Sequence, residues 1–177
     1  MTETKPALSG IDFFSDLSDA DLEALVKLCR WRRYTAGQQI IGHQDDTTDV
    51  YFIASGRVHV TVYSPSGKEV AFRDLAAGKS IGELSAVDGA PRSAAVIALT
   101  NTMLASMPAK SFRRVLGEHP EVSARMMKYM AGLVRMLSDR VVEFSVLAVR
   151  NRIDAELLRL ARDHGVDGNE TMLSPTP

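Results

Sequence analysis

The sequence predicts a mainly β fold with flanking helices, its strands closing as a barrel or jelly roll and a long helix following them. Two observations carry this. From Tyr34 to Met107 short β-rich runs are punctuated by Gly37, Gly42, Gly56, Gly67, Gly78, Gly82 and Gly89, as in folds built from many short strands. After Met107 the period changes from two to that of a helix and stays so for the rest of the pattern.

The chain has 177 residues, enough for one hydrophobic core plus an extension. Ser18 precedes Asp-Ala-Asp-Leu, and Leu22, Leu25, Val26 and Cys29 recur at helical spacing, which predicts a helix from about Ser18 to Cys29. Phe13, Phe14 and Leu17 stand upstream as candidates to staple that helix to a neighbouring surface. In the β region Val50, Phe52, Val58, Val60 and Val62 mark alternate positions, and Ser64-Pro65-Ser66-Gly67 reads as a hairpin turn whose return strand holds Val70 and Phe72. Phe112, Val115 and Leu116 predict a brief helix before His119-Pro120, where proline can open the next one.

That next helix is long. Met127, Met130, Val134, Leu137, Val141, Phe144 and Ala148 fall at alternating steps of three and four residues, a heptad seam. A second apolar row, Val122, Met126, Leu133 and Met136, lies beside it. A single amphipathic helix usually has one apolar stripe facing its own core. Two rows favour a homodimer in which one row covers the β core and the other meets a partner helix. The organisation expected is residues 1–119 for the roll and its N-terminal helix, 120–148 for the dimer helix, and 149–177 for the start of a further domain.

Lys and Arg number 21 against 22 Asp and Glu, a formal charge of −1, so the long-range positive field of a phosphate-gripping domain is missing and this stretch is expected to bind DNA poorly. The single cysteine, Cys29, has no internal disulfide partner, which fits a reducing cytoplasm. No stretch approaches the roughly 20 apolar residues of a membrane span, and Met1 to Gly10 lacks a signal-peptide core, so no membrane partner is expected.

The chemistry concentrates between Gly78 and Ala94. Gly82 lets the backbone approach a ligand, and a short helix from about Glu83 would direct amides at a phosphate. Arg92 can give a charge-assisted contact to that phosphate, Ser93 a hydroxyl, and Glu83 can accept a hydrogen bond from a sugar. The competing reading is a Gly-rich turn with Glu83 and Arg92 as a surface ion pair. Against it stands the full pattern, Ile81-Gly82-Glu83-Leu84 and, six residues beyond it, Pro91-Arg92-Ser93-Ala94.

This pattern resembles the phosphate-binding cassette of cyclic-nucleotide-binding domains. The resemblance covers nearly the whole chain, from Phe13-Phe14 through Ala36-Gly37-Gln38, Tyr51-Phe52-Ile53 and Gly56 to the long helix. It implies a double-stranded β-helix, the eight-stranded jelly roll, followed by a dimerisation helix. It also implies that Ile81, Gly82, Glu83, Leu84 and Ser85 cradle ribose and phosphate and that Arg92, Ser93 and Ala94 hold the cyclic phosphate. Leu137-Ser138-Asp139-Arg140-Val141 and Val149 to Leu158 look like the dimer helix and first DNA-binding-domain helix of Crp/Fnr regulators. A helix-turn-helix should follow in that family. None does here, so the chain is expected to be cut short of it or, as the lesser alternative, to be a natural sensor without an output domain, with DNA and RNA polymerase engaged only by the full-length protein.

Where such regulators carry a Thr-Ser pair that reaches the purine, this sequence has Leu137-Ser138. The missing hydroxyl is worth about 1 kcal/mol and makes cGMP a candidate effector beside cAMP. Ser138 is expected either to touch the base or to face solvent. A haem sensor on the same fold is the lesser alternative, because His43 and His59 are isolated. A cupin metalloenzyme would need clustered ligands, whereas His43, His59, His119 and His164 are scattered, so neither a metal nor catalysis is expected. Replacing Arg92 with alanine is expected to abolish most nucleotide affinity with little loss of fold.

Overall fold

The computed structural model describes residues 8–63, 69–139 and 141–142. Eight strands lie among them: β1 (Arg30–Tyr34), β2 (Gln39–Ile41), β3 (Val50–Ser55), β4 (Arg57–Tyr63), β5 (Glu69–Ala76), β6 (Ser80–Ile81), β7 (Ala95–Ala98) and β8 (Thr102–Met107). They form two four-stranded sheets in the orders β1-β8-β3-β6 and β2-β7-β4-β5, and every pairing is antiparallel. Apart from the β4–β5 hairpin, strands adjacent in sequence lie in opposite sheets, which is the winding of the expected jelly roll. The tip of that hairpin, placed by sequence at Ser64 to Gly67, lies outside the described residues.

The run Val50-Tyr51-Phe52-Ile53 explains why β3 is central: Val50, Phe52 and Ile53 are all fully buried. Successive side chains point to opposite faces. Ile53 packs inside the roll with Tyr34, Val58, Val60, Leu75, Ile81, Val96 and Leu104. Phe52 faces the other way, its ring 4.8 Å from Phe14 and 6.2 Å from Phe112. At Gly56, φ is +89°, and a Cβ there would stand 2.5 Å from Thr102 Oγ1 and 2.6 Å from the Asn101 carbonyl, so only glycine fits where the chain leaves one sheet for the other.

The helices cover the Phe52 side. A 3-10 turn (Asp12–Phe14) buries Phe13 and Phe14, and Phe13 stacks 6.4 Å from Phe112. The first α-helix, α1 (Asp19–Val26), is capped by Ser18, whose Oγ accepts from the Asp21 amide at 3.2 Å and donates to the Asp21 carboxylate at 2.6 Å. It stops three residues before the expected end at Cys29, because the chain turns there to enter β1. That strand was missed: Arg30-Trp31-Arg32-Arg33 is exposed on both sides at a sheet edge and has no apolar alternation to read. Next come α2 (Glu83–Asp88), α3 (Ala109–Glu118) and α4 (residues 120–139), the last beginning at Pro120 as expected.

The chain divides into two units, Met1–Met127 and Lys128–Pro177. In the first, Val122 and Met126 are buried. Arg125 forks onto Asp16, with Nε and Nη2 each 2.6 Å from a carboxylate oxygen. This hydrogen bonding holds the Asp16 carboxyl below its usual value near 3.8. A depressed carboxyl pKa contributes stability above the unfolded value, and that contribution disappears as pH falls through the folded value. Thermal unfolding of wild type and Asp16→Asn is therefore expected to differ at neutral pH and to converge in acid, below about pH 4.

Along the rest of α4 the seam residues Met127, Val134 and Leu137 are exposed, as is Val141 beyond it, while Met130, Leu133 and Met136 are half-buried. Phe144, Ala148 and the expected segment 149–177 lie outside the described residues. No helix among the described residues is long and apolar enough to cross a membrane.

Candidate functional site

Strand β6 is two residues long and pairs with β3, Ile81 opposite Tyr51 and Ser80 opposite Phe52. The chain then turns sharply at Gly82, with φ +81°, and enters α2. A Cβ at Gly82 would collide with Nη1 of Arg92 and lie 3.0 Å from the Asp49 carbonyl. The glycine thus admits the guanidinium against the backbone.

Arg92 is 1% exposed, the largest of the fully buried side chains. Its Nε donates to Thr47 Oγ1 at 3.0 Å, Nη1 to the Gly82 carbonyl at 3.0 Å, and Nη2 to the Asp49 carbonyl at 2.7 Å. Three of the five guanidinium N–H groups are thereby fixed by protein. The main chain is held as well: Arg92 N–H donates to the Asp45 carbonyl and Gln44 N–H to the Arg92 carbonyl, both at 2.9 Å. Burial lowers the Arg92 pKa, opposed by Tyr51, Asp49, Asp45 and Glu83, so the charge survives in an enclosed place. The Tyr51 ring stands 5.8 Å from the guanidinium, and burial raises the phenol's own pKa.

Glu83, at 5% exposed, is enclosed too and interacts electrostatically with Arg92. The surface ion pair weighed from sequence is thereby ruled out. The hydrogen bonds of Arg92 join the β2–β3 loop to the start of α2, so its truncation is expected to cost stability as well as affinity. Ile81 and Ser85 are buried, and Ala94 is half-buried against the roll interior. Leu84 and Ser93 are exposed. Leu137 and Ser138 belong to the second unit and are exposed, and the Ser138 hydroxyl donates to the Val134 carbonyl at 2.9 Å.

Sequence reasoning missed Thr47, Asp49, Asp45 and Tyr51. The only signal was the polar segment Gly42 to Asp49, longer than a tight strand connection needs. His59 Nδ1 lies 2.5 Å from Asp74 on the neighbouring strand, and His164 lies outside the described residues. Among the described residues no group of three or more His, Cys, Asp or Glu is placed to hold a metal. Burial pushes the Cys29 thiol up to about 11, so it is protonated at neutral pH and a poor nucleophile.

Residues 31–119 match the family described as the cyclic nucleotide-binding domain. The cAMP-activated global transcriptional regulator CRP of Salmonella typhimurium is 31% identical over 146 residues, covering 82% of this chain and 70% of that protein. The solved structure of the Thermus thermophilus catabolite activator protein superposes with a TM-score of 0.72 at 26% identity, covering 86% of this chain and 72% of that one. The N-terminal domain of a transcriptional regulator from Streptomyces coelicolor A3(2) superposes with a TM-score of 0.59 at 26% identity, covering 75% of this chain and 95% of that one.

Proposed function

The chain belongs to the Crp/Fnr family of cyclic-nucleotide-binding regulators, and on that premise we propose that it is a cAMP or cGMP sensor that dimerises through α4 and catalyses no reaction. The observation that carries the reading is the enclosure of Arg92 and Glu83 together beside Gly82. A cyclic nucleotide presents an anionic phosphate and a ribose hydroxyl on fused rings. Arg92 supplies the cation for the first and Glu83 the acceptor for the second. Asp45, Asp49 and Glu83 leave the buried cation in an acidic surround until a ligand brings its own negative charge.

Ile81, Ser85, Ala94 and the exposed Leu84 and Ser93 frame the same stretch. Leu137 and Ser138 are the base-side residues of this proposal, and the leucine, lacking a hydroxyl, is the reason cGMP is kept beside cAMP. Titration calorimetry of the nucleotide-free protein with each is expected to give micromolar or tighter binding for at least one, that is about −8 kcal/mol or better. No heat with either, from folded protein, would refute the sensor reading.

The dimer proposal rests on the apolar seam, in which Met127, Val134, Leu137 and Val141 are exposed and Met130 is half-buried. Large apolar side chains repeated at heptad spacing in water are stabilised when a second helix covers them. Leu137→Glu is expected to convert a dimer to monomer in sedimentation equilibrium, and a monomeric wild type would defeat the seam. Ligand binding in such a dimer biases one helix arrangement over another and so reorients whatever follows α4. In this reading the full-length regulator works in the cytoplasm, reads DNA and meets RNA polymerase through parts beyond the sensor, and needs no metal or membrane.

A further inference from the structure

One turn of α2 lies between two guanidinium groups. The Gly82 carbonyl accepts from Arg92 Nη1 at 3.0 Å and also from the Ala86 amide at 3.2 Å. Ala86 is fully buried, and its own carbonyl accepts from Arg113 Nη1 at 2.6 Å. Arg92 and Arg113 are therefore tied to the same turn of α2 at two carbonyls four residues apart, those of Gly82 and Ala86. Arg113 lies on the exposed side of α3 and reaches back to a carbonyl near the C-terminal end of α2, where a cation is electrostatically favoured. Its neighbour Arg114 instead pairs with Glu118 one turn along the same helix.

Beyond Arg113 the path is closed by packing and hydrogen bonds. Phe112 and Val115 anchor α3 in the core. At the elbow into α4, the His119 amide donates to the Val115 carbonyl at 2.9 Å, and the His119 carbonyl accepts from Val122 at 3.0 Å and Ser123 at 3.2 Å. The Ser123 hydroxyl adds a 2.6 Å bond to the Leu116 carbonyl. A shift of α2 that pulls Arg113 thus moves α3 and the elbow as one piece, because each joint is closed by hydrogen bonds.

We propose that Arg113 is a positioning residue that couples α2 to α3 and so carries the occupancy of the Arg92–Glu83 site to the elbow at His119–Ser123. This rests on the nucleotide-sensing reading given above. The alternative is that packing between the two helices transmits the shift and Arg113 is incidental.

The test is hydrogen exchange of the full chain with and without saturating cAMP or cGMP, whichever calorimetry shows to bind. In wild type, nucleotide is expected to change exchange both in residues 82–89 and in residues 119–123. In Arg113→Ala the change at 82–89 persists, that at 119–123 is lost, and affinity falls roughly tenfold, the size of an ordinary coupling between sites. Arg113→Lys, which still offers a charged donor to the Ala86 carbonyl, recovers part of the elbow response. An elbow response in folded Arg113→Ala equal to wild type overturns the proposal, as does a wild type whose elbow ignores nucleotide. Should Arg113→Ala fail to fold, Arg113→Gln, with a shorter neutral donor, is measured in the same way. Failure of the sensing reading shows itself separately, as a wild type that gives no calorimetric heat with either nucleotide, and it removes the coupling with it.

Discussion

Arg92→Ala is expected to reduce cyclic-nucleotide affinity by at least about a hundredfold, roughly 2.7 kcal/mol, and to destabilise the fold as well. Both effects have one origin. The guanidinium is the cation proposed for the phosphate, and it also ties the carbonyls of Gly82 and Asp49 and the Thr47 hydroxyl to one point. Truncation takes the Arg92 donor from the Asp49 carbonyl, a loss worth about 1–3 kcal/mol, while the Gly82 carbonyl keeps the Ala86 amide. It also removes the cation that faces the buried Glu83.

Arg92→Lys separates the two roles. It keeps a positive charge but not the planar fork that meets three acceptors at once, so stability recovers partly while affinity stays at least about tenfold below wild type. Urea unfolding and calorimetry on the same preparations read the two quantities. Near-normal nucleotide binding by folded Arg92→Ala would sink the assignment of the site.

Phe52→Ala is expected to be the most damaging core change, at about 3–5 kcal/mol. The side chain is fully buried, edge-on to Phe14 at 4.8 Å and tilted against Phe112 at 6.2 Å. Removing the ring deprives three segments far apart in sequence of a shared contact. Because small domains are stable by only about 5–15 kcal/mol, the variant should unfold at much lower denaturant than wild type. Phe52→Leu, which fills most of the volume, should lose far less. A midpoint for Phe52→Ala within about 0.5 kcal/mol of wild type would mean that the aromatic cluster is not what fastens the helices to the sheet.

The parts of the fold legible in the sequence were those where one periodic signal dominates. Val58, Val60 and Val62 alternate and are found in β4, and Ser18 caps a helix as its spacing with Asp21 predicted. Illegible parts had competing or absent signals. In β1 there is no apolar face to detect, and after Val26 the apolar Leu28 and Cys29 mimic one more helical turn.

The site was readable as far as it is contiguous, from Ile81 to Ala94. What completes it was not, because Thr47 meets Arg92 across 45 residues of chain and Asp49 across 43. No local pattern encodes such a pairing; it follows from how β2, β3 and β7 are brought together by the roll. Burial was equally invisible. Glutamate and arginine are ordinarily surface residues, and only the folded chain turns this pair inward.

The arginine-rich strand β1 bears on how the protein behaves in a crowd of its own copies. As the outer strand of its sheet it presents an edge that another extended chain can join, the geometry from which aggregates grow. Arg30, Arg32 and Arg33 stand exposed there. Two such edges brought together would confront like charge with like charge, so the residues that hid this strand from pattern reading are also ones that oppose edge-to-edge pairing between copies.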